Sequence, residues 1–239
     1  MNREISGLSS MATRPVLAEL TEHIRLTHGI PVRFDSAGGV EIARRVRDGA
    51  ESDVLVLADG ALAGLTEQGH VLGDTVRPLW VSEVVAAVPE GTPVPPLRSE
   101  SDLRAALRSA KSIAHSTGPS GTALVDLIAR LDLADELRDR LVQASPGVPA
   151  GSLLSSGRAD LAFQQHSELM DLPGVVVAGP LPGDTAIAST FSGGVLAVSS
   201  QPARAREVLD LLGSDEASKA ARARGMRAAG GTSDSVTRA

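Results

Sequence analysis

Three short segments rich in serine, threonine and glycine could together bind an anion. They are residues 9–15, 36–39 and 116–122, and each directly precedes a predicted helix. Hydroxyls and unpaired backbone N–H groups there lie at the positive end of the helix dipole. One such segment alone would be ordinary helix capping. Three of them at the carboxyl ends of strands predict a shared anion site, because ligands of open α/β sheets bind at that edge.

Proton-transfer chemistry at the same place would need a base, and the sequence offers three candidates. His115 and His166 lie beside predicted ligand loops, and an imidazole can give or take a proton near neutral pH. Glu83 follows Ser82 in a predicted strand, where the alternation of side chains turns its carboxylate either into the site or away from it. Each candidate is also open to interpretation as a packed or solvated side chain without a chemical role.

Arg14 is a candidate anion ligand in the first turn of a predicted helix. Its guanidinium could donate two hydrogen bonds to a carboxylate or phosphate, or it could be an ordinary surface charge. If the ligand is a polycarboxylate held by Arg14, we expect Arg14→Ala to weaken binding by more than about 1.5 kcal/mol.

The composition limits the partners. The chain has 239 residues, with 23 lysines and arginines against 29 aspartates and glutamates, and its net charge is −6. This acidic balance predicts no nucleic-acid partner. The chain has no cysteine and no tyrosine, so disulfides and thiolate metal sites are excluded and aromatic stacking surfaces are few. The expected ligand is therefore small and polar.

Several catalytic motifs are missing. The sequence contains no GxxxxGK[ST], no GxGxxG and no HExxH, which removes support for nucleotide hydrolysis, dinucleotide binding and zinc-peptidase chemistry. Histidines and carboxylates do not cluster at metal-ligand spacing. We therefore expect neither a metal nor a cofactor.

Short apolar runs alternate with amphipathic segments along the chain. Residues 54–58 form a continuous apolar run typical of a buried strand, and residues 195–198 form another. Residues 16–24 and 134–142 have apolar residues at helical spacing. This alternation predicts an α/β fold with helices on both faces of the sheet.

In their order along the chain, these segments and several others resemble the molybdate-type solute-binding proteins of ABC transporters over about residues 4–228. The segments are 9–17, 36–39, 53–58, 116–121, 146–149, 157–165 and 179–182. The resemblance implies the type 2 periplasmic-binding-protein fold, with two α/β lobes, each a mostly parallel sheet flanked by helices, and a ligand cleft between them. It implies that lobe one comprises residues 1–80 and 189–239 and lobe two residues 81–188, with hinge strands near 81–88 and 189–198.

The resemblance also implies which residues hold the ligand. These are Ser9, Ser10, Ser36, Gly38, Ser82, Ser116, Ser120, Gly121, Gln164 and Gln165, to which Arg14 and Thr122 are added as further anion ligands. His115 stands where relatives often have tyrosine, so the family's choice of ligand does not transfer directly.

Two functions remain open. One is a binding protein whose cleft closes by hinge motion on a small carboxylate or oxyanion. The other is a cofactor-independent enzyme on the same scaffold, an isomerase that transfers a proton in an unsaturated di- or tricarboxylate such as aconitate. In the enzyme His115, His166 or Glu83 would act as the base.

The N-terminal segment bears on the compartment. It has no long apolar run after its basic start, which predicts no signal peptide, and the chain has no apolar stretch of the roughly 20 residues that would insert into a membrane. The sequence as it stands therefore predicts a cytoplasmic protein. It would be periplasmic or extracellular if a signal peptide had been removed, and only then would an ABC permease be its partner.

Overall fold

The computed structural model describes residues 3–230, which form ten β-strands and ten α-helices in an alternating order. The strands are β1 (Ile5–Ser10), β2 (Val32–Ala37), β3 (Val54–Ala58), β4 (Arg77–Pro89), β5 (Ile113–His115), β6 (Leu141–Gln143), β7 (Leu161–Gln165), β8 (Val175–Pro180), β9 (Ala188–Val195) and β10 (Met226–Ala228). The helices are α1 (Arg14–His28), α2 (Gly39–Arg47), α3 (Asp59–Glu67), α4 (Glu100–Ser109), α5 (Pro119–Arg130), α6 (Ala134–Leu137), α7 (Gly151–Ser155), α8 (His166–Leu169), α9 (Pro202–Leu212) and α10 (Asp215–Ala223).

The long strand β4 joins two halves of the sheet. Its first part pairs with β9 and β10, in a half ordered β2-β1-β3-β9-β4-β10. Its second part pairs with β7 and β8, in a half ordered β8-β4-β7-β5-β6. The change of partner falls between Glu83, opposite Ala188 of β9, and Val84, opposite Gln165 of β7.

The pairing is mixed. The outer strands pair in parallel, β1 with β2 and β3, and β5 with β6 and β7. The strands next to the junction pair antiparallel, because β4 carries the chain out of the first half and β9 brings it back. The expected mostly parallel character therefore applies to the outer strands.

Each half has an apolar core on both faces of its sheet, which explains the continuous apolar runs in the sequence. In the first half Val54 and Val56 of β3 pack in one core, with Trp80, and Leu55 and Leu57 pack in the other. Two further cores flank the second half, the larger one around Phe163 of β7. Helices cover all four faces, so strands such as β3 are buried on both sides.

Two predicted elements differ from the structure. Residues 134–142, expected to be one helix, form the short helix α6, a 3₁₀ turn and then strand β6. The apolar residues at its end also suit a short, partly buried strand beside β5, and strand pairing decides the outcome. The strand expected at residues 195–198 ends at Val195, since its apolar run begins inside β9.

Within residues 3–230, no helix combines the length and the apolar character needed to span a bilayer.

Candidate functional site

A cavity of about 750 Å³ lies between the two halves, at the carboxyl ends of their parallel strands. From the first half it is lined by residues that end or follow β1, β2 and β3, and from the second half by residues that follow β5 and β6 or end β7. Ser189 and Phe191 of β9 also line it. The polar and charged residues of its lining are Ser10, Glu41, Arg44, Arg47, Ser116, Thr117, Ser120, Gln164, Gln165, Glu168 and Ser189.

Two helices direct their N-termini into this cavity, one from each half. Helix α2 begins at Gly39, directly after Gly38, and α5 begins at Pro119, directly after Gly118. The four residues line the cavity. The first N–H groups of α2 have no partner within the helix. At α5, Pro119 has no N–H and the N–H groups of Gly121 and Thr122 bond to the Gly118 oxygen, so this end contributes its dipole and the N–H of Ser120.

The loop before α5 depends on a glycine within the helix. A Cβ atom on Gly121 would lie 1.9 Å from the backbone oxygen of Ser116, so only glycine permits this tight loop. The Ser116 hydroxyl lies 3.0 Å from the Ser120 hydroxyl, with which it forms a hydrogen bond. Both serines therefore face the cavity in a fixed arrangement.

Two buried polar atoms on the cavity wall lack a hydrogen-bond partner within residues 3–230. They are the hydroxyl oxygen of Ser10 and the side-chain oxygen Oε1 of Gln165. The Gln165 Nε2 donates to the Ser189 hydroxyl at 2.9 Å. Buried polar atoms are nearly always paired, so an unpaired one on a cavity wall indicates a ligand. If the Gln165 amide were turned over, the Ser189 hydroxyl would donate to Oε1 and the amide N–H groups would face the cavity.

Glu168 of α8 contributes a carboxyl group to the cavity wall. Its Oε1 accepts a hydrogen bond of 2.8 Å from Nε2 of Gln164. Burial raises its pKa to about 7, although the hydrogen bond from Gln164 acts in the opposite direction. Near neutral pH the group is thus present in both its protonated and its ionised form.

Much of the remaining wall is apolar. Met11, Leu57 and Phe191 line the inner part. Val40 of the first half and Val148 of the second lie on the opposite lips of the cavity, with 69% and 42% of their surface exposed. A hinge closure that brought the lips together would shield both valines from water.

Of the two arginines that line the cavity, one is paired with carboxylates of the described residues 3–230 and the other is not. Arg44 forms ion pairs with Glu41 at 2.8 Å and with Asp48 at 2.6 Å. Arg47 donates to the side chain of Gln68 at 3.0 Å. Positive potential in the cavity therefore comes from Arg47 as well as from backbone dipoles.

The structure brings half of the predicted ligand residues to the cavity wall. Ser10, Gly38, Ser116, Ser120, Gln164 and Gln165 line it. Ser9 and Ser36 lie behind it and hydrogen-bond to each other at 2.7 Å. Gly121 shapes the Ser116 loop from below. Ser82 is buried in β4, and the side chains of Arg14 and Thr122 are exposed outside the lining.

The three predicted bases lie outside the cavity lining. His115 is buried, and its Nδ1 donates to the carbonyl oxygen of Ser116 at 3.1 Å; burial lowers its pKa. The ring of His166 packs against Gly225 and fills the space that a Cβ atom of that residue would need. Burial lowers the pKa of His166, and the nearby carboxylate of Glu83 opposes this shift. Glu83 itself is exposed on β4. The fold thus brings His166 and Glu83 together, but beside the junction strand.

Some lining residues were not predicted. Glu168 is four residues after Gln164, on the short helix that continues from β7, and the rule that ligands bind at carboxyl ends of strands could have indicated it. The turn at residues 146–149 entered only as part of the family resemblance, yet it forms one lip. Nothing in the sequence indicated Ser189 or Phe191, since they reach the cavity from the return strand β9.

Known proteins similar to this chain include an enzyme and several binding proteins. An aconitate isomerase from a Pseudomonas species is 30% identical over 189 residues, which are 78% of this chain and 71% of that protein. The periplasmic molybdate-binding protein of Azotobacter vinelandii has a TM-score of 0.77 at 19% identity, over 93% of this chain and 98% of that one. For the sulfate-binding protein of Mycobacterium tuberculosis H37Rv the TM-score is 0.78 at 17% identity, over 95% and 87%.

These structural likenesses confirm the expected two-lobed periplasmic-binding-protein fold. At the level of sequence, residues 5–227 match the bacterial extracellular solute-binding proteins. Because the match spans nearly the whole chain, this protein belongs to the bacterial extracellular solute-binding protein family.

Proposed function

We propose that this protein binds a small anionic ligand in the cavity between its two halves. The observation that carries the proposal is the unpaired Ser10 hydroxyl, buried on a wall where the N-termini of α2 and α5 converge. A hydroxyl, the free N–H groups of α2 and the positive dipoles of both helices form an array that stabilises an anion without a buried cation. Membership of the solute-binding family supports the same function.

The cavity wall favours an organic carboxylate over a bare tetrahedral oxyanion. An oxyanion such as sulfate or molybdate accepts hydrogen bonds on all sides, and Met11, Leu57 and Phe191 have no donor to offer it. A carboxylate ligand would direct its charged groups at the helix N-termini and lay its carbon skeleton on these residues. The volume of about 750 Å³ also has room for a di- or tricarboxylate.

Calorimetry and thermal shift at pH 7 test this proposal with molybdate, tungstate, sulfate, phosphate, citrate and the two aconitate isomers. We expect the carboxylates to bind more tightly than the oxyanions. Ser10→Ala should weaken binding about tenfold or more, since a hydrogen bond to a charged group contributes roughly 1.5–3 kcal/mol. It should leave the ligand-free stability nearly unchanged, because the hydroxyl has no partner within residues 3–230.

The matched control is Ser101→Ala, on the exposed surface of α4. It should change neither affinity nor stability. If Ser10→Ala binds the same anion as well as Ser101→Ala does, Ser10 does not contact the ligand.

A second candidate function is isomerisation of an unsaturated carboxylate. The 30% identity to an aconitate isomerase favours it, and so does a carboxyl group with a pKa near neutrality on the cavity wall. Incubation with cis- or trans-aconitate in deuterated water, followed by proton NMR, tests it. Interconversion of the isomers or uptake of deuterium at carbon would support an enzyme, and unchanged spectra with tight binding would refute it.

The compartment and partner differ between the two functions. A transport receptor would work in the periplasm or outside the cell, and its partner would be an ABC permease. An isomerase could act in the cytoplasm. Immunoblots of fractionated native cells would discriminate between them.

A further inference from the structure

We propose that ligand binding in this cavity is coupled to protonation of Glu168, whose carboxyl group donates a hydrogen bond to the bound anion. This inference rests on the proposed anion-binding function. It adds a proton to the binding equilibrium, because the protein takes up one H⁺ at Glu168 together with the ligand.

The orientation of Gln164 determines where that proton sits. Its Oε1 accepts from the backbone N–H of Gly151 at 3.3 Å, which turns its Nε2 towards Glu168. The Nε2 then donates to Oε1 of Glu168 at 2.8 Å. Since Oε1 of Glu168 is already an acceptor, a proton on the carboxyl group belongs on Oε2. This oxygen receives no hydrogen bond from the described part of the chain, which leaves it available to the cavity.

The charged groups around Glu168 favour its protonation when an anion binds. The turn after α10 packs against α8 and contributes Arg224, which is paired with Glu19 and Asp171. Strands β7 and β8, which pack against α8, carry no ionisable side chain, and neither does the turn Met11–Thr13. The facing part of β4 contributes Glu83, and α8 itself contributes His166, whose pKa burial lowers, so it is neutral at pH 7 and above.

Across the cavity the charged groups are those of α2. Glu41 and Arg44 form an ion pair there, and Arg47 is bound to Gln68. Since Gln68 is neutral, Arg47 brings one positive charge to the cavity lining, and one cation does not balance both an ionised Glu168 and a di- or trianion. An ionised Glu168 would repel the ligand, whereas a protonated one would donate to it.

The cost of this protonation is small near neutral pH. Burial raises the pKa of Glu168 to about 7, so at pH 7 about half of the ligand-free molecules already carry the proton. Above pH 7 the proton must be supplied on binding, and the apparent affinity should fall about tenfold for each pH unit.

The experiment is calorimetry with cis-aconitate, and with sulfate as a second probe, at pH 7 and pH 9. For the wild-type protein we expect the affinity to be about 50-fold lower at pH 9. Titrations at pH 8 in two buffers of different ionisation enthalpy should show uptake of about 0.9 proton per ligand. Glu168→Gln keeps the acceptor for Gln164 and cannot ionise, so its affinity should be nearly the same at both pH values.

Glu51→Gln is the control, because Glu51 is exposed in the loop at the other end of β3 from the cavity. It should show the same pH dependence as the wild-type protein. A pH-independent wild-type affinity, or an equal loss of affinity at pH 9 in Glu168→Gln, would overturn the inference and leave anion binding intact. If neither probe nor any other anion of the panel binds at pH 7, anion binding fails, and the inference with it. Should Glu168→Gln not fold, proton uptake by the wild-type protein decides alone.

Discussion

Replacing Glu168 with glutamine should stabilise the ligand-free protein at high pH and have much less effect at low pH. The pKa of this carboxyl group is about 7 in the folded protein, raised by burial from 4.5. An acid with a raised pKa in the folded state loses stability as pH rises from the unfolded value through the folded one. The free energy of unfolding should therefore contain a penalty of roughly 1 kcal/mol at pH 5 that reaches at most about 3 kcal/mol at pH 8. The neutral glutamine avoids it.

Urea denaturation at pH 5 and pH 8 measures this penalty, with fluorescence of the single tryptophan as the signal. Trp80 is fully buried, so its emission should report unfolding. The difference between Glu168→Gln and the wild-type protein should grow by roughly 2 kcal/mol between the two pH values. Glu51→Gln should show no such growth. An equal difference at both pH values would mean that Glu168 titrates normally, and the argument from burial would be wrong.

Four further substitutions test the geometry of the cavity. Gly121→Ala should lower the free energy of unfolding by about 1–3 kcal/mol in urea denaturation and weaken anion binding, because its Cβ would lie 1.9 Å from the Ser116 oxygen. Gly118→Ala in the same loop has 3.9 Å of space and should leave the stability within about 0.5 kcal/mol. Arg14→Ala should change the calorimetric affinity less than about threefold, since Arg14 is exposed outside the lining. A loss of binding free energy above about 1.5 kcal/mol would show that Arg14 contacts the ligand. Val40→Asp on the exposed lip should weaken binding by calorimetry without lowering stability in urea, and unchanged affinity would show that the lip does not close on the ligand.

The sequence was sufficient to predict the fold class and the edge of the sheet where the cavity lies. Buried strands such as β3 were visible as apolar runs, and the serine and glycine segments marked the ends of β1, β2 and β5. Both signals are local, because they depend on a strand and the helix after it. Residues that reach the cavity from a strand returning through the sheet, such as Phe191, carry no such local signal.

Side-chain direction accounts for the predicted residues that do not line the cavity. Glu83 follows Ser82 at the junction of the two halves, and the alternation along β4 exposes Glu83. Ser9 and Ser10 are adjacent in β1, so they point to opposite faces, and only Ser10 meets the cavity. In β1, alternation turns one of the two serines towards the cavity, but the sequence does not show which one.

The pH dependence of Glu168 also separates the two proposed functions. A binding protein uses the protonated carboxyl group as a donor, so its affinity should be highest below pH 7 and the bound aconitate should stay chemically unchanged at every pH. An isomerase with Glu168 as its base needs the ionised form in the complex, because only a carboxylate can accept a proton from carbon. Its kcat should then rise with pH while its affinity falls. Measuring kcat and affinity for aconitate across pH 6 to 9 therefore tests both roles of one residue, and a kcat that does not rise would exclude Glu168 as the base.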